Sequence, residues 1–376
     1  MAEQVLKRID WMLVFFILPI ILAGLFTMKS FSPVDGSGSF FNKQIIWVVI
    51  SFAVFFIFSF IDFRFLRRTY VIVSLFIFFS VVLLLLFIIG YVAHGAQSWF
   101  SLGLFSFQPV DMMKLVLILI LAKYFSRRHV EIRNIKHLFI SGIYAFLPFI
   151  LVLLQPDFGS AMIIFFIWLG MVLVSGISKT HLFLVFLTGV FIFVSFWFFI
   201  FEPYQKARIS NFLNPLADVR GSGYNAFQST IAVGSGGLTG KGLGFGTQSR
   251  LKFLPEPETD FIFSAFAEEW GFIGSLLILI LFVLIILRIL HFASFGASNF
   301  EILFSIGMAV YLISHIIVNM GMNLGLLPVT GTPLPFMSYG GSHLLAEFMG
   351  LGILMGMRRY QRSAHRDDMK NEFLGI

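Results

Sequence analysis

The 376-residue sequence predicts an all-α polytopic membrane protein with about ten transmembrane helices, and three observations carry that prediction. First, 58% of the residues are hydrophobic and only 12% are charged, against about 25% charged in an ordinary soluble chain. Second, the apolar residues fall in long runs such as Val71–Ile89 and Leu276–Leu287. A run of about 20 apolar residues spans the ~30 Å hydrocarbon layer at a rise of 1.5 Å per residue. Third, the basic residues segregate to one side of the expected spans, as set out below.

The spans are expected at residues 10–28, 44–61, 70–92, 111–125, 138–154, 158–175, 182–201, 261–287, 302–323 and 343–357. The fourth and fifth are short and carry polar residues, which places them inside the bundle. The first run has no small-residue cleavage site after Met28 and is expected to stay as a helix rather than leave as a signal peptide. With no cysteine, disulfides are excluded. With the N-terminus inside, the short inner segments hold seventeen of the 26 Lys and Arg residues, against Lys29 and Lys43 in the short outer ones. Both termini are therefore expected in the cytoplasm, and the long loop 202–260 between helices 7 and 8 outside. The net charge of +7 reads as topology and not as nucleic-acid binding. The chain reads as a single membrane domain over 1–376, with a short cytoplasmic tail 358–376 of mixed charge, expected to be partly disordered.

Polar chemistry gathers on the outer side, in Gly95–Trp99, Gln108–Lys114, Leu154–Gly159, residues 202–260 and Gly325–Ser342. Irregular backbone at membrane depth survives only where protein or water satisfies it, so these segments are expected to converge on one outward cavity. Asp111 and Lys114, three apart at the start of the fourth span, can pair on one helix face, either as a structural ion pair or for substrate. Asp157 follows Pro156 between two spans and suits a helix N-cap. Asp260, where the long loop enters the eighth span, also suits a cap with Thr259. Capping alone does not account for Glu256, Glu258, Asp260, Glu268 and Glu269 together, and at least one of Glu268 and Glu269 should face the bundle interior. The Gly-rich run Gly234–Gly246 is not a P-loop: Ser235 and Gly242 stand where Gly and Ser or Thr are needed, so no nucleotide is expected. It is either a tightly turning loop or a set of N–H groups that, with Lys241 and Arg250, receives an anionic headgroup. Trp99 is an interfacial anchor or a stacking platform for a sugar.

Read together, Leu154–Ser160, Phe212–Pro215, Gly221–Ser229, Ile231–Gly242, Thr259–Phe263 with Ala267–Glu269, Gly325–Gly331, Pro333–Pro335 and Ser338–Ser342 resemble the SEDS family (shape, elongation, division and sporulation) of RodA, FtsW and SpoVE over nearly the whole chain. Gly246–Glu256 is most similar to the RodA branch. The resemblance implies a peptidoglycan glycosyltransferase of the bacterial plasma membrane that polymerises lipid II into nascent glycan for cell elongation. Its implied partners are a class B penicillin-binding protein and the elongation machinery, within membrane lipids. It maps the essential carboxylate onto Asp260, read as general base. Substrate contacts fall on Trp99, Asp111, Lys114, Asp157, Arg208, Gln228, Ser229, Lys241, Thr259, Glu268 and Ser342. Arg208, Lys241, Lys114 or a divalent cation (Mg2+ or Mn2+), with Asp260 and Glu258 as its candidate ligands, would receive the leaving pyrophosphate. Three positions depart from the family pattern: Glu258 stands where His is usual, Val110-Asp111 where Ser-Glu is usual, and His343 where a small residue is common. A lipid II flippase, an FtsW-like division polymerase and a scaffold that recruits the penicillin-binding protein are the rival functions.

Overall fold

The computed structural model describes residues 9–30, 40–93, 96–101, 106–126, 135–199, 201, 203–214 and 223–374. Lys7, Arg8, Arg127, Arg128 and Arg133 of the charge count, and Pro215, Gly221 and Ser222 of the motifs, lie outside the described residues, as does the side chain of Arg208.

Ten helices coincide with the expected spans: α1 (Trp11–Ser30), α2 (Phe40–Phe60), α3 (Thr69–Ile89), α4 (Pro109–Ser126), α5 (Ile135–Leu154), α6 (Phe158–Val174), α7 (Lys179–Phe199), then α11 (Ile262–Ser294), α12 (Asn299–Asn323) and the first half of α13 (Gly341–Leu374). Seven of them are long and apolar enough to cross a membrane by length and composition. The others are α4, which carries Asp111, Lys114 and Lys123, the 17-residue α6, and α13, whose later half is polar. As the polar content of α4 suggested, it is the central helix, with every residue from Pro109 to Ala122 buried; α5, also expected to be short and inside, instead runs 20 residues and exposes an apolar face of Phe139, Ile143, Phe146 and Leu147. In contrast, α7 has no buried residue.

Three features differ from expectation. Between α3 and α4 the chain forms a small antiparallel sheet, β1 (Tyr91–Ala93), β2 (Ala96–Ser101) and β3 (Ser106–Phe107). The long loop is substantially helical, with α8 (Pro203–Leu213), α9 (Tyr224–Ser235) and the single turn α10 (Thr247–Arg250). The tail expected to be partly disordered instead continues α13 as helix to Leu374. The helix meets no proline or glycine there to stop it.

The basic residues on the expected inner side gather at one end of the bundle. Asp10 accepts from Leu13 N–H at the start of α1 (2.9 Å) and takes Arg288 of α11 (2.6 Å) and Arg358 of α13 (3.0 Å). Both arms of the chain therefore reach the same end. Nearby, Arg67 pairs with Glu301 of α12, and Lys123 donates to Arg67 O. Burial would raise the Asp10 carboxyl. Hydrogen bonds from Arg288 and Leu13 N–H, with the charges of Arg288 and Arg358, outweigh that and hold it below 3.8. Its contribution to stability is thus present above pH 3.8 and is lost as the pH falls through the depressed value. Asp10→Ala strands two guanidinium groups at once. At pH 7 it should lower the melting temperature of the purified protein by roughly 5 °C or more; a melting temperature equal to that of the wild type would show that the knot contributes nothing.

Candidate active site

At the opposite end, the segment before α11 is held by its backbone. Tyr339 N–H donates to Glu258 O (2.8 Å), Ser338 Oγ donates to Thr259 O (2.6 Å), and the side-chain amides of Asn319 and Asn323 both donate to Asp260 O (3.0 Å each). Three successive carbonyls are satisfied from the 338–339 turn and from α12. Each would be costly if left unmet at membrane depth.

The expected capping role of Asp260 does not hold. Helix α11 begins at Ile262 with Phe261 as its flanking residue and no side-chain cap of its own. Its first-turn N–H at Ser264 is received instead by Asn323 Oδ1 (3.1 Å), which also accepts from Ser264 Oγ (2.6 Å). A residue 59 positions away thereby performs the N-cap function. The Asp260 carboxylate, half-buried, sits against Gly331, whose added Cβ would lie 3.3 Å from Asp260 Oδ2. Ser229 of α9 joins this lattice through Ser264 Oγ (2.6 Å) and Asn323 O (2.8 Å). Nearby, Phe158, Phe201, Gln205, Ile209, Pro328, Val329 and Thr330 line a small groove, and Thr330 adjoins Gly331 in the chain.

The Gly-rich run serves α11. That helix breaks at Gly271, in a conformation (φ 66°, ψ −163°) open only to glycine. The hydrogen bonds lost at the break are made by the loop: Lys241 N–H to Glu268 O (3.0 Å), Gly242 N–H to Glu269 O (3.0 Å), Phe272 N–H to Gly237 O (2.9 Å) and Ile273 N–H to Leu238 O (3.1 Å). A side chain at Gly240 would strike the backbone at Glu269 and Trp270. The loop is a splint for the kink.

The fully buried Glu268 carboxylate accepts from Lys241 Nζ (2.8 Å), Thr247 Oγ1 (3.1 Å), Gln248 N–H (2.9 Å), Ser249 N–H (3.2 Å) and Ser249 Oγ (3.2 Å). Lys241 and Glu268, expected to touch substrate, are thus committed to each other and to α10. Arg250 donates to Gly244 O (3.2 Å). Glu269 is buried too and accepts from Gly244 N–H (2.9 Å), so both acids face inward.

Asp157 is the N-cap of α6, accepting from Ser160 N–H (3.0 Å), and its second oxygen takes Gln108 Nε2 (2.9 Å). Asp111 and Lys114 are paired at 3.0 Å, both 1% exposed, and Ser342 Oγ donates to Asp111 Oδ2 (3.1 Å). Trp99 is half-buried on β2, in register with Tyr91. Gln228 is half-buried on α9, and the backbone of Arg208 lies on α8. Among the described residues, no three His, Asp or Glu side chains converge as a metal site.

The sequence reading did not single out Asn319, Asn323, Ser264 or Ser338. A signal was present: Tyr311, His315, Asn319 and Asn323 recur every four residues along α12, which puts them on one face, and all four are buried.

The family model for the cell cycle proteins FtsW, RodA and SpoVE matches residues 5–363. The chain belongs to this family. It is 37% identical over 363 residues to stage V sporulation protein E of Bacillus subtilis (strain 168), covering 94% of this chain and 98% of that one. It is 40% identical over 274 residues to peptidoglycan glycosyltransferase MrdB of Escherichia coli (strain K12), covering 73% and 74% of the two chains. Among solved structures, it superposes on the rod shape determining protein RodA of Thermus thermophilus with a TM-score of 0.70 at 30% identity, over 94% and 97% of the chains. A chain of a peptidoglycan synthase complex, described as coordinating polymerization and crosslinking, gives 0.79 at 29% identity, over 94% and 98%.

Where SEDS members usually carry His, Glu258 is held in a half-buried place. Burial pushes its carboxyl above 4.5, the Glu256 charge pushes it further, and Lys252 opposes. An acid raised on folding favours the folded state below its unfolded value and loses that advantage as the pH rises through the folded value. Glu258→Gln should therefore raise the melting temperature at pH 7 to 8, with the gain vanishing below about pH 4.5. A gain that persists at pH 4 would exclude titration of Glu258 as its source.

Proposed function

We propose that this chain is a peptidoglycan glycosyltransferase that polymerises lipid II at the outer face of the bacterial plasma membrane, with Asp260 as general base, in cell elongation. The observation that carries the reading is the placement of Asp260. Its backbone is fixed by Asn319 and Asn323, its capping duty is taken by Asn323, and its carboxylate sits against Gly331, whose chain neighbour Thr330 lines the small groove. A carboxylate held this way is pre-set for a reaction partner. The relatives named as peptidoglycan glycosyltransferases support the same class.

In the proposed step, the acceptor 4-hydroxyl gives its proton to the Asp260 carboxylate as its oxygen bonds to the anomeric carbon of the donor glycan. The bond from that carbon to the undecaprenyl pyrophosphate breaks, the pyrophosphate keeps the electron pair, and the anomeric configuration inverts. Lys114 and Lys241 are already paired with Asp111 and Glu268, which leaves Arg208 as the proposed cationic contact for the pyrophosphate. Mg2+ or Mn2+, with Asp260 and Glu258 as its candidate ligands, would add positive charge for the same pyrophosphate. We place the groove at the lipid-linked donor and Trp99 against a sugar, and we assign the transpeptidase partner to the class B penicillin-binding proteins. A flippase would need a wet polar path through the bilayer; the polar groups in the first turns of α4 and α13, Asp111, Lys114, His343 and Glu347, are instead buried and close to one another.

Asp260→Ala, purified with its transpeptidase partner and given labelled lipid II and divalent cation, should polymerise at least about a hundred-fold more slowly than wild type, the usual scale for loss of a general base. Polymer made at the wild-type rate by Asp260→Ala would refute the assignment. Transport of lipid II across vesicles by a wild type that makes no polymer would favour the flippase.

A further inference from the structure

We propose that Glu347 is a positioning residue for Asp260, acting through the turn at Phe336; the inference rests on the polymerase reading above. Glu347 lies on α13, fully buried, where an apolar side chain would suit the membrane better. One of its oxygens accepts the backbone N–H of Phe336 (Oε2, 3.0 Å). Phe336 is buried and has φ 60°, the left-handed region, which a bulky residue adopts only when its surroundings impose it. The Glu347 bond falls on that residue.

The turn around Phe336 shapes the grip on the catalytic segment. Ser338 Oγ accepts from Leu334 N–H (2.8 Å), and Ser338 N–H returns to Leu334 O (3.1 Å). From this turn, Ser338 Oγ and Tyr339 N–H reach the carbonyls of Thr259 and Glu258, the two residues before Asp260. If Phe336 relaxes to an ordinary conformation, both donors shift, and the segment before Asp260 loses its hold from the 338–339 turn.

Glu347 is itself held in place. His343, one turn earlier on α13, lies with Nε2 2.9 Å from Glu347 Oε1, close enough for an ion pair though not aligned as a hydrogen bond. His343 Nδ1 faces Asp111 Oδ1 at 3.6 Å and Tyr311 OH at 3.3 Å. Its ring centroid is 4.5 Å from that of His315, whose Nδ1 lies 3.3 Å from Pro333 O in the same turn. The buried polar groups of α4, α12 and α13 thus end on the backbone of residues 333–336. The departure at His343 from the small residue expected there has a role in this reading: it orients the carboxylate that secures the turn.

The test compares Glu347→Leu and Glu347→Gln with wild type in the lipid II polymerisation assay with the transpeptidase partner. Leucine removes the acceptor for Phe336 N–H, whereas the glutamine carbonyl keeps it. Glu347→Leu should lower kcat at least about ten-fold, the scale of a displaced catalytic group, with KM within about two-fold. Glu347→Gln should recover most of the loss and keep kcat within about three-fold of wild type. Should the leucine variant fail to fold, His343→Leu takes its place, with a fall in kcat of about three-fold or more at unchanged KM. A leucine variant (or its histidine replacement) with wild-type kcat, a change confined to KM, or a glutamine variant as impaired as leucine would each overturn the inference. Those failures leave wild-type polymerisation intact; a wild type that makes no polymer overturns the functional reading first and this inference with it.

Discussion

Three consecutive backbone carbonyls, those of Glu258, Thr259 and Asp260, each receive a donor from a distant part of the chain, and the outer half of the fold is arranged around that fact. A chain entering a membrane helix through turns must satisfy its polar backbone with protein groups. Here the donors come from the α12 stripe and from the Ser338 turn, and the result is a fixed backbone under a carboxylate that caps no helix. The Asn323 side chain is the hinge of the arrangement. It holds Asp260 O with its amide and the first turn of α11 with its oxygen, two tasks that a local N-cap could not perform together.

The remaining buried charges support that geometry and do not compete with it. Lys241 and Glu268 close the α10 turn, and the Gly-rich loop splints α11 across Gly271. On the inner side, Asp10 ties α1, α11 and α13 into one knot. Between them, Asp111 and Lys114 neutralise each other inside α4, which offsets part of the cost of charge within the membrane. The wide separation of these tasks explains why a chain with so few charged residues buries so many of them.

Much of this was legible in the sequence because it is local. The spans follow from run length against bilayer thickness, and seven helices long and apolar enough to cross a membrane answer to them. The Asp157 cap and the Asp111–Lys114 pair are contacts three residues apart, set by helix geometry alone. The failures are long-range. Asp260 looked like a cap because nothing near it reveals that Asn323 caps α11 from another helix. The pairing of Lys241 with Glu268 was hidden by their 27-residue separation. The strands at 91–107 and the helices within 202–260 follow from packing against the bundle, not from a run of apolar residues. The polar stripe on α12 was readable as a four-residue period, but its target was not.

The central claim is that the carbonyl clamp orients Asp260 for chemistry rather than only holding the fold together. Steady-state polymerisation of labelled lipid II by Asn323→Ala, measured beside binding of the same lipid, tests it most directly. Loss of the Asn323 donor from the clamp, together with its cap on α11, should lower kcat at least about ten-fold while lipid II affinity stays within about two-fold of wild type. A folded Asn323→Ala protein that polymerises at the wild-type rate would contradict the claim.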